Sequence, residues 1–148
     1  MAKGRGGTQW QVKIDAVAKK LSNATAVDIG WLPDAKYPDG TQVALVAAIQ
    51  QFGAPSRGIP PRPFFSEMIT EQSPAWPAAV KATLTNNDGD TAAMLEDMGA
   101  LIKGALQQKI NTFVGVPLAP STIARKGHDK QLIDTAHMLN TVDYIVKK

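Results

Sequence analysis

The stretch Thr91–Phe113, TAAMLEDMGALIKGALQQKINTF, decides how the rest of the chain has to fold. Met94, Leu95, Met98, Leu101, Ile102, Ala105, Leu106, Ile110 and Phe113 recur at helical spacing, giving one apolar stripe several turns long. Such a stripe must be covered by other elements, which makes this helix the backbone of the core. The cluster Asn86-Asn87-Asp88-Gly89-Asp90 ahead of it forms a turn, and Asp88 or Asp90 is placed to cap the helix. Gly99 and Gly104 each weaken a helix by about 1 kcal/mol relative to alanine, which points to close approach of a neighbouring element there or, equally, to neutral drift on the small-residue face.

Downstream, Val116 to Lys130 reads as a long irregular connection punctuated by Pro117, Pro120 and Gly127. Gln131 to Leu139 reads as a short helix or turn. Thr141 to Lys147 alternates, with Val142, Tyr144 and Val146 opposite Asp143, Ile145 and Lys147, which is the period of a strand. The same period appears upstream at Ala24 to Leu32, where Val27, Ile29 and Trp31 alternate with Asp28 and Gly30. A strand cannot stand alone, so these two are expected to pair and leave the helices on one face. The fold class is therefore α+β. A small antiparallel sheet that includes strands near 24–32 and 141–147 packs against several helices, the longest near 91–113, with long Pro-rich loops.

The remaining helices follow from punctuation and spacing. Gln9 to about Ser22 places Trp10, Ile14, Val17 and Leu21 on one helical face. Pro33 to Gly40 is a loop, after which Thr41 is expected to cap a helix carrying Val43, Val46, Ala47, Ile49 and Phe52. Gly53 is a natural stop for that helix. Pro63 suits the first turn of a short helix through Met68 and Ile69, which the Ser73-Pro74 and Trp76-Pro77 steps break. A further helical piece is expected from Ala78 to about Leu84. Residues 1–8 are basic and Gly-rich and read as a disordered tip, leaving 9–148 as a single domain.

Composition narrows the class of function. Hydrophobic residues make up 44% of the 148 positions, as in ordinary globular proteins, and no run approaches the ~20 apolar residues of a membrane span. The tip is followed by no apolar segment of the kind a secretory signal needs, so synthesis in the cytoplasm is expected. Without cysteine there is no disulfide and no thiolate metal site. The net charge of +3 is mildly basic, and its sources cluster at Lys3, Arg5, Lys13, Lys19 and Lys20 and again at Arg125, Lys126 and Lys130. Only a shared surface would make the two clusters an electrostatic footprint for nucleic acid.

No catalytic set is legible. His128 and His137 are the whole histidine inventory, and their separation fits no helical metal-ligand pair. Glu96 and Asp97 are adjacent rather than stacked, and Ser66 and Ser121 lack the Gly-x-Ser-x-Gly context of an activated nucleophile. Gly4-Arg5-Gly6-Gly7 follows no strand, so the phosphate-cradle readings fail. The chain is thus read as a non-enzyme, with no cofactor and no metal.

What stands out is the strap Arg57-Gly58-Ile59-Pro60-Pro61-Arg62-Pro63-Phe64-Phe65. Proline fixes its own φ and biases the preceding residue toward extended backbone, so Ile59 to Pro63 should be stiff and extended. Two connections this long in a small domain are functional more often than filler. Ile59, Arg62, Phe64 and Phe65 are the candidate anchors of the first arm, with the phenylalanines buried in their own core or in a neighbour. Arg62 is expected to make a forked contact to a carboxylate or backbone. Ser121, Arg125 and Lys126 mark the second arm.

Val46-Ala47-Ala48-Ile49-Gln50-Gln51-Phe52-Gly53-Ala54-Pro55, followed by Ile59-Pro60-Pro61-Arg62-Pro63-Phe64-Phe65, resembles the neck and tail-completion proteins of tailed bacteriophages. Pro117 to Gly127, PLAPSTIARKG, and Leu132 to Leu139, LIDTAHML, resemble that family's second signature. The likeness covers roughly Ala24 to Val146 and departs at Ala136, where glycine is expected after the Asp-Thr pair. It implies a virion structural protein at the head–tail junction that forms or completes a neck or tail ring by protein–protein contacts. It implies as partners other phage neck and tail proteins, such as head-closure, tail-terminator or tube rings, and a ring homo-oligomer in the virion. It implies no membrane and leaves room for a weak contact with genomic DNA, which passes through the neck. A small basic nucleic-acid-binding module is the alternative from the residues themselves.

Overall fold

The computed structural model describes residues 15–20 and 24–148. Its elements run β1 (Ala26–Gly30), α1 (Val43–Phe52), α2 (Phe64–Gln72), α3 (Trp76–Asn86), α4 (Thr91–Thr112), α5 (Pro120–Lys126), α6 (His137–Asn140) and β2 (Asp143–Lys147). Single 3-10 turns lie at Pro55–Arg57 and Ser73–Ala75. The architecture is α+β, with the two strands paired antiparallel as the alternating stretches imply. Val27 faces Val146 and Ile29 faces Tyr144 across the pair, all four half-buried, while Asp28, Ile145 and Lys147 look outward. The strands are shorter than the alternation suggests, because Trp31 and Val142 leave the ladder to enter the core.

The long helix α4 organises everything else. Asp90 caps it, its Oδ1 accepting from the amides of Ala92 and Ala93 at 2.9 and 3.1 Å. Met98, Ile102, Leu106 and Ile110, each one turn on from the last, form a buried ridge. Against it pack both strands, α2, α3 and α6. Val43, Ala47, Phe64, Met68, Phe113, Leu132, Met138 and Val142 complete the core. Leu101 belongs to the expected stripe yet is exposed, since the covered ridge is narrower than the apolar stripe.

The two helical glycines part company. A methyl group at Gly99 would sit 2.4 Å from Cδ2 of Tyr144, so β2 crosses α4 where the side chain is missing. Nothing lies within 4 Å of a methyl at Gly104, and the close approach expected there does not occur. Lys109, in the last turn of α4, reaches Glu67 at 3.0 Å and Glu71 at 2.7 Å, tying α2 to α4 at its edge. The hydrogen bond to Glu71 comes first among the causes that raise its pKa.

Several boundaries fall differently from expectation. Thr41 does not cap α1: its amide is held by the Asp39 carboxylate at 2.9 Å, and Gln42 occupies the cap position without a side-chain bond. Pro63 sits one residue ahead of α2 rather than in its first turn. The Trp76-Pro77 step starts α3 rather than only ending α2, because proline fits the first turn of a helix. The connection 116–130 contains α5, opened by Pro120 and closed by Gly127 in the left-handed region at φ 77°. Those two residues were punctuation for a helix, not for a loop. Phe52 is 76% exposed at the end of α1, so it is no part of the core. The basic tip at 1–8 and most of the helix expected at 9–22 lie outside the described residues; 15–20 is helical, with the Lys20 carbonyl accepting from Thr91 Oγ1 at 2.7 Å.

Candidate functional site

The strap is fastened to the C-terminal end of α1 by main chain. Ala54 and Ile59 exchange both backbone bonds, at 2.9 and 3.1 Å, and close a small loop around the Pro55–Arg57 turn. The Arg62 amide then donates to the Gln50 carbonyl at 2.7 Å, and the Phe64 amide folds back on the Arg62 carbonyl at 2.7 Å. Pro63, at φ −77° and ψ 46°, makes that three-residue turn. Since Pro63 offers α2 no side-chain cap, Gln51 supplies one from α1: its Oε1 accepts from the Phe65 amide at 2.9 Å. Gln50 and Gln51 are therefore structural partners of the strap. Sequence reading missed them, because a glutamine pair at a helix end has no signature of its own.

Within the strap the named residues divide. Phe64 is fully buried in its own core, edge-on to Trp31 at 6.2 Å and to Phe65 and Phe113 at 6.5 Å. Phe65 is half-buried against the same core. Arg62 is 6% exposed, and its side chain makes no forked contact. Nη1 donates to Oε1 of Gln50 at 3.1 Å, and Nε is buried without an acceptor. The expected carboxylate is missing because the strap brings the guanidinium to an amide. Burial depresses the Arg62 pKa, a cost the guanidinium absorbs while staying charged.

The second arm is built with equal economy of side chains. Gln131 clasps Gly115 with both ends of its amide, Oε1 accepting at 2.9 Å and Nε2 donating at 3.0 Å. Lys126 Nζ donates to the Lys130 carbonyl at 2.7 Å. Ser121 is exposed on α5 and is not among the residues that line the groove described below. His137 opens α6, its Nε2 lying 2.8 Å from the Lys36 carbonyl and its ring 4.8 Å from that of Tyr37, so it fastens α6 to the 33–42 loop.

Ala136 stands ahead of α6 at φ 60°, in the left-handed region where glycine is at home. The turn is thus built as a glycine turn despite the alanine, at a conformational cost of roughly 1–2 kcal/mol for an L-residue. Ala136→Gly is expected to stabilise the chain by about 0.5–1 kcal/mol, net of the greater freedom glycine has when unfolded. A urea midpoint unchanged or lowered relative to the parent chain would contradict the strained turn.

The two arms meet. Ile59, Pro60 and Arg62 of the strap, Pro117 and Leu118, Arg125 and Lys126 of α5, and Asp134 and His137 line one open groove of about 1110 Å³. Four of the seven candidate residues, Ile59, Arg62, Arg125 and Lys126, are brought to it; Phe64, Phe65 and Ser121 are not. Its charged edge is mixed. Lys126 has its pKa lowered first by burial and then by Arg125 and Arg62, against the opposing pull of Asp134. Tyr37 on the same groove has its pKa raised by burial and then by Asp134 and Asp39.

Other chemistries find little to work with among the described residues. No group of three His, Asp or Glu gathers to hold a metal ion, and no helix is long and apolar enough to cross a membrane. The described residues of the two basic clusters sit apart. Lys20 donates to the Asp88 carbonyl beside the start of α4, whereas Lys130 donates to Asn111 at its end, about 30 Å along the helix. No protein-family model matches this chain, and no curated protein or solved structure is similar to it.

Proposed function

We propose that this chain is a structural subunit of the head–tail junction of a tailed bacteriophage, made in the host cytoplasm and assembled into the virion. There it forms or completes a neck or tail ring through protein–protein contacts. One observation carries the reading: the two stretches that resemble the neck and tail-completion family, some sixty residues apart in sequence, face a single groove. A groove framed by two proline-stiffened arms is suited to a neighbour's segment, because little arm entropy is lost on binding. Large apolar side chains left in solvent at Leu45, Phe52, Val114 and Val116 add surface of the kind that assembly covers.

The mass of the purified protein, alone and mixed with the head-closure, terminator and tube proteins of its own phage, tests this. We expect a 15.8 kDa monomer alone and a defined ring once a partner is present. A chain that remains monomeric with every one of those proteins overturns the proposal. The nucleic-acid alternative requires the two basic clusters on a shared surface; Lys20 and Lys130 lie at opposite ends of α4, and the cations that do share the groove, Arg62, Arg125 and Lys126, have Asp39 and Asp134 beside them.

A further inference from the structure

We infer that the groove receives a carboxylate side chain carried on an extended, apolar segment of a different protein, with the Arg62 guanidinium as its anchor. This rests on the assembly reading and names the chemistry of the contact. Arg62 is 94% buried by its 6% exposure, yet no carboxylate of the described residues is in ion-pair contact with it. The residues outside the described set, 1–14 and 21–23, contain no Asp or Glu at all. The counter-charge is therefore absent from this chain. A buried charge whose one side-chain partner is a neutral amide, and whose Nε–H has no acceptor, is an incomplete pair. A guanidinium in that state is matched by a carboxylate, which binds from the groove at the Nη edge while Nε stays closed to solvent and reports the change.

The rest of the groove selects what carries the carboxylate. Ile59, Pro60, Pro117, Leu118 and Ile133 give it apolar walls that suit aliphatic flanks. Lys126 adds a second cation within reach of the same anion, and Asp39 and Asp134 on the edge repel a polyanion such as a nucleic-acid backbone. The chain's own acids lie in helices, helix caps, turns and the sheet, or, for Asp129, between a histidine and a lysine. Asp28 and Asp143, the two on extended strands with apolar neighbours, are held in the sheet and paired with Lys147 and Lys103, so the occupant is another protein rather than a second copy.

The test reads Arg62 directly. The Nε–H resonance of the ¹⁵N-labelled full chain, assigned through bonds, is followed while two blocked peptides are added separately: Pro-Leu-Glu-Leu-Pro and its Gln counterpart. We expect a saturable shift with the Glu peptide at least about tenfold tighter than with the Gln peptide, as a charge-assisted pair requires. Lys126→Ala is expected to weaken the Glu peptide by about twofold. Equal binding of the two peptides, or no response at the Arg62 Nε–H, overturns the inference. So does a shift produced by oligothymidylate in place of the peptide, or one that follows protein concentration alone. A silent Arg62 in a chain that still joins a ring with its partners removes the carboxylate and leaves the assembly reading standing. Peptide binding in a chain that joins no ring does the reverse.

Discussion

Phe64→Ala is expected to lower the stability of the chain by about 3–5 kcal/mol, a large share of what a domain of this size has. The side chain is wholly buried and touches three aromatic rings, each edge-on. Edge-to-face pairs contribute roughly 0.5–1.5 kcal/mol beyond the area they bury, and alanine removes all three while leaving a cavity. In thermal unfolding the loss should appear as a fall of roughly 10–15 °C in midpoint. Phe65→Ala is the comparison within the same dipeptide. Its ring is only half-buried, so it should cost about half as much or less. Equal costs for the two would mean that Phe64 does not carry the junction between the strap, Trp31 just after β1 and Phe113 just after α4.

That contrast shows how far the sequence could be read. Periodicity located the long helix, the two strands and their pairing, because those patterns follow from which face is buried. It also singled out Phe64-Phe65, but adjacency in sequence could not say that one ring enters the core and the other stays at its margin. The same limit applies to Gly99 and Gly104. Both are helix-weakening, yet only Gly99 has Tyr144 of β2 lying across it. Which glycine is needed depends on the crossing point of a strand thirty or more residues away.

The groove was partly legible. Arg62, Arg125 and Lys126 were picked out by residue type and by their place in Pro-rich arms, and the fold brings all three to one edge. Its frame was not legible, because the side chains of Gln51 and Gln131 bind main-chain groups that any sequence possesses, and Gln50 holds the Arg62 amide by its own carbonyl. Helix α5 was hidden by its own signals, since a proline and a glycine seven residues apart suit a short helix as well as a loop. Ala136 was recognised as a departure from a glycine turn, and only the backbone shows that the turn keeps its left-handed form.

Gly53→Ala should be the most damaging small change to the groove itself. Gly53 has φ 75° and ψ 175°, a conformation that is essentially glycine's alone, and strain there costs of order 1–3 kcal/mol. The added methyl would also lie 2.8 Å from Pro61 N, 2.9 Å from the Ile59 carbonyl oxygen and 3.1 Å from the Pro60 carbonyl carbon. All three are backbone atoms of the strap, so no rotamer can relieve the contact, and overpacking of this kind costs roughly 1–3 kcal/mol more. A total of about 2–5 kcal/mol follows. Relief requires the strap to lift away from α1, which breaks the Arg62 amide bond to Gln50 and withdraws Arg62 from the groove. Gly58→Ala isolates this effect. Gly58 is also left-handed, at φ 66°, but meets nothing within 4 Å, so its cost should be limited to roughly 1–2 kcal/mol of backbone strain. Urea unfolding of both variants, paired with the Arg62 Nε–H response to the Glu peptide, measures stability and groove geometry separately. Gly53→Ala should lose the peptide response even under conditions where it remains folded, while Gly58→Ala, whose methyl displaces no protein atom although Gly58 lines the groove, should keep it. If the two variants lose stability equally and respond alike to the peptide, contact of the strap with Gly53 does not hold Arg62 in place.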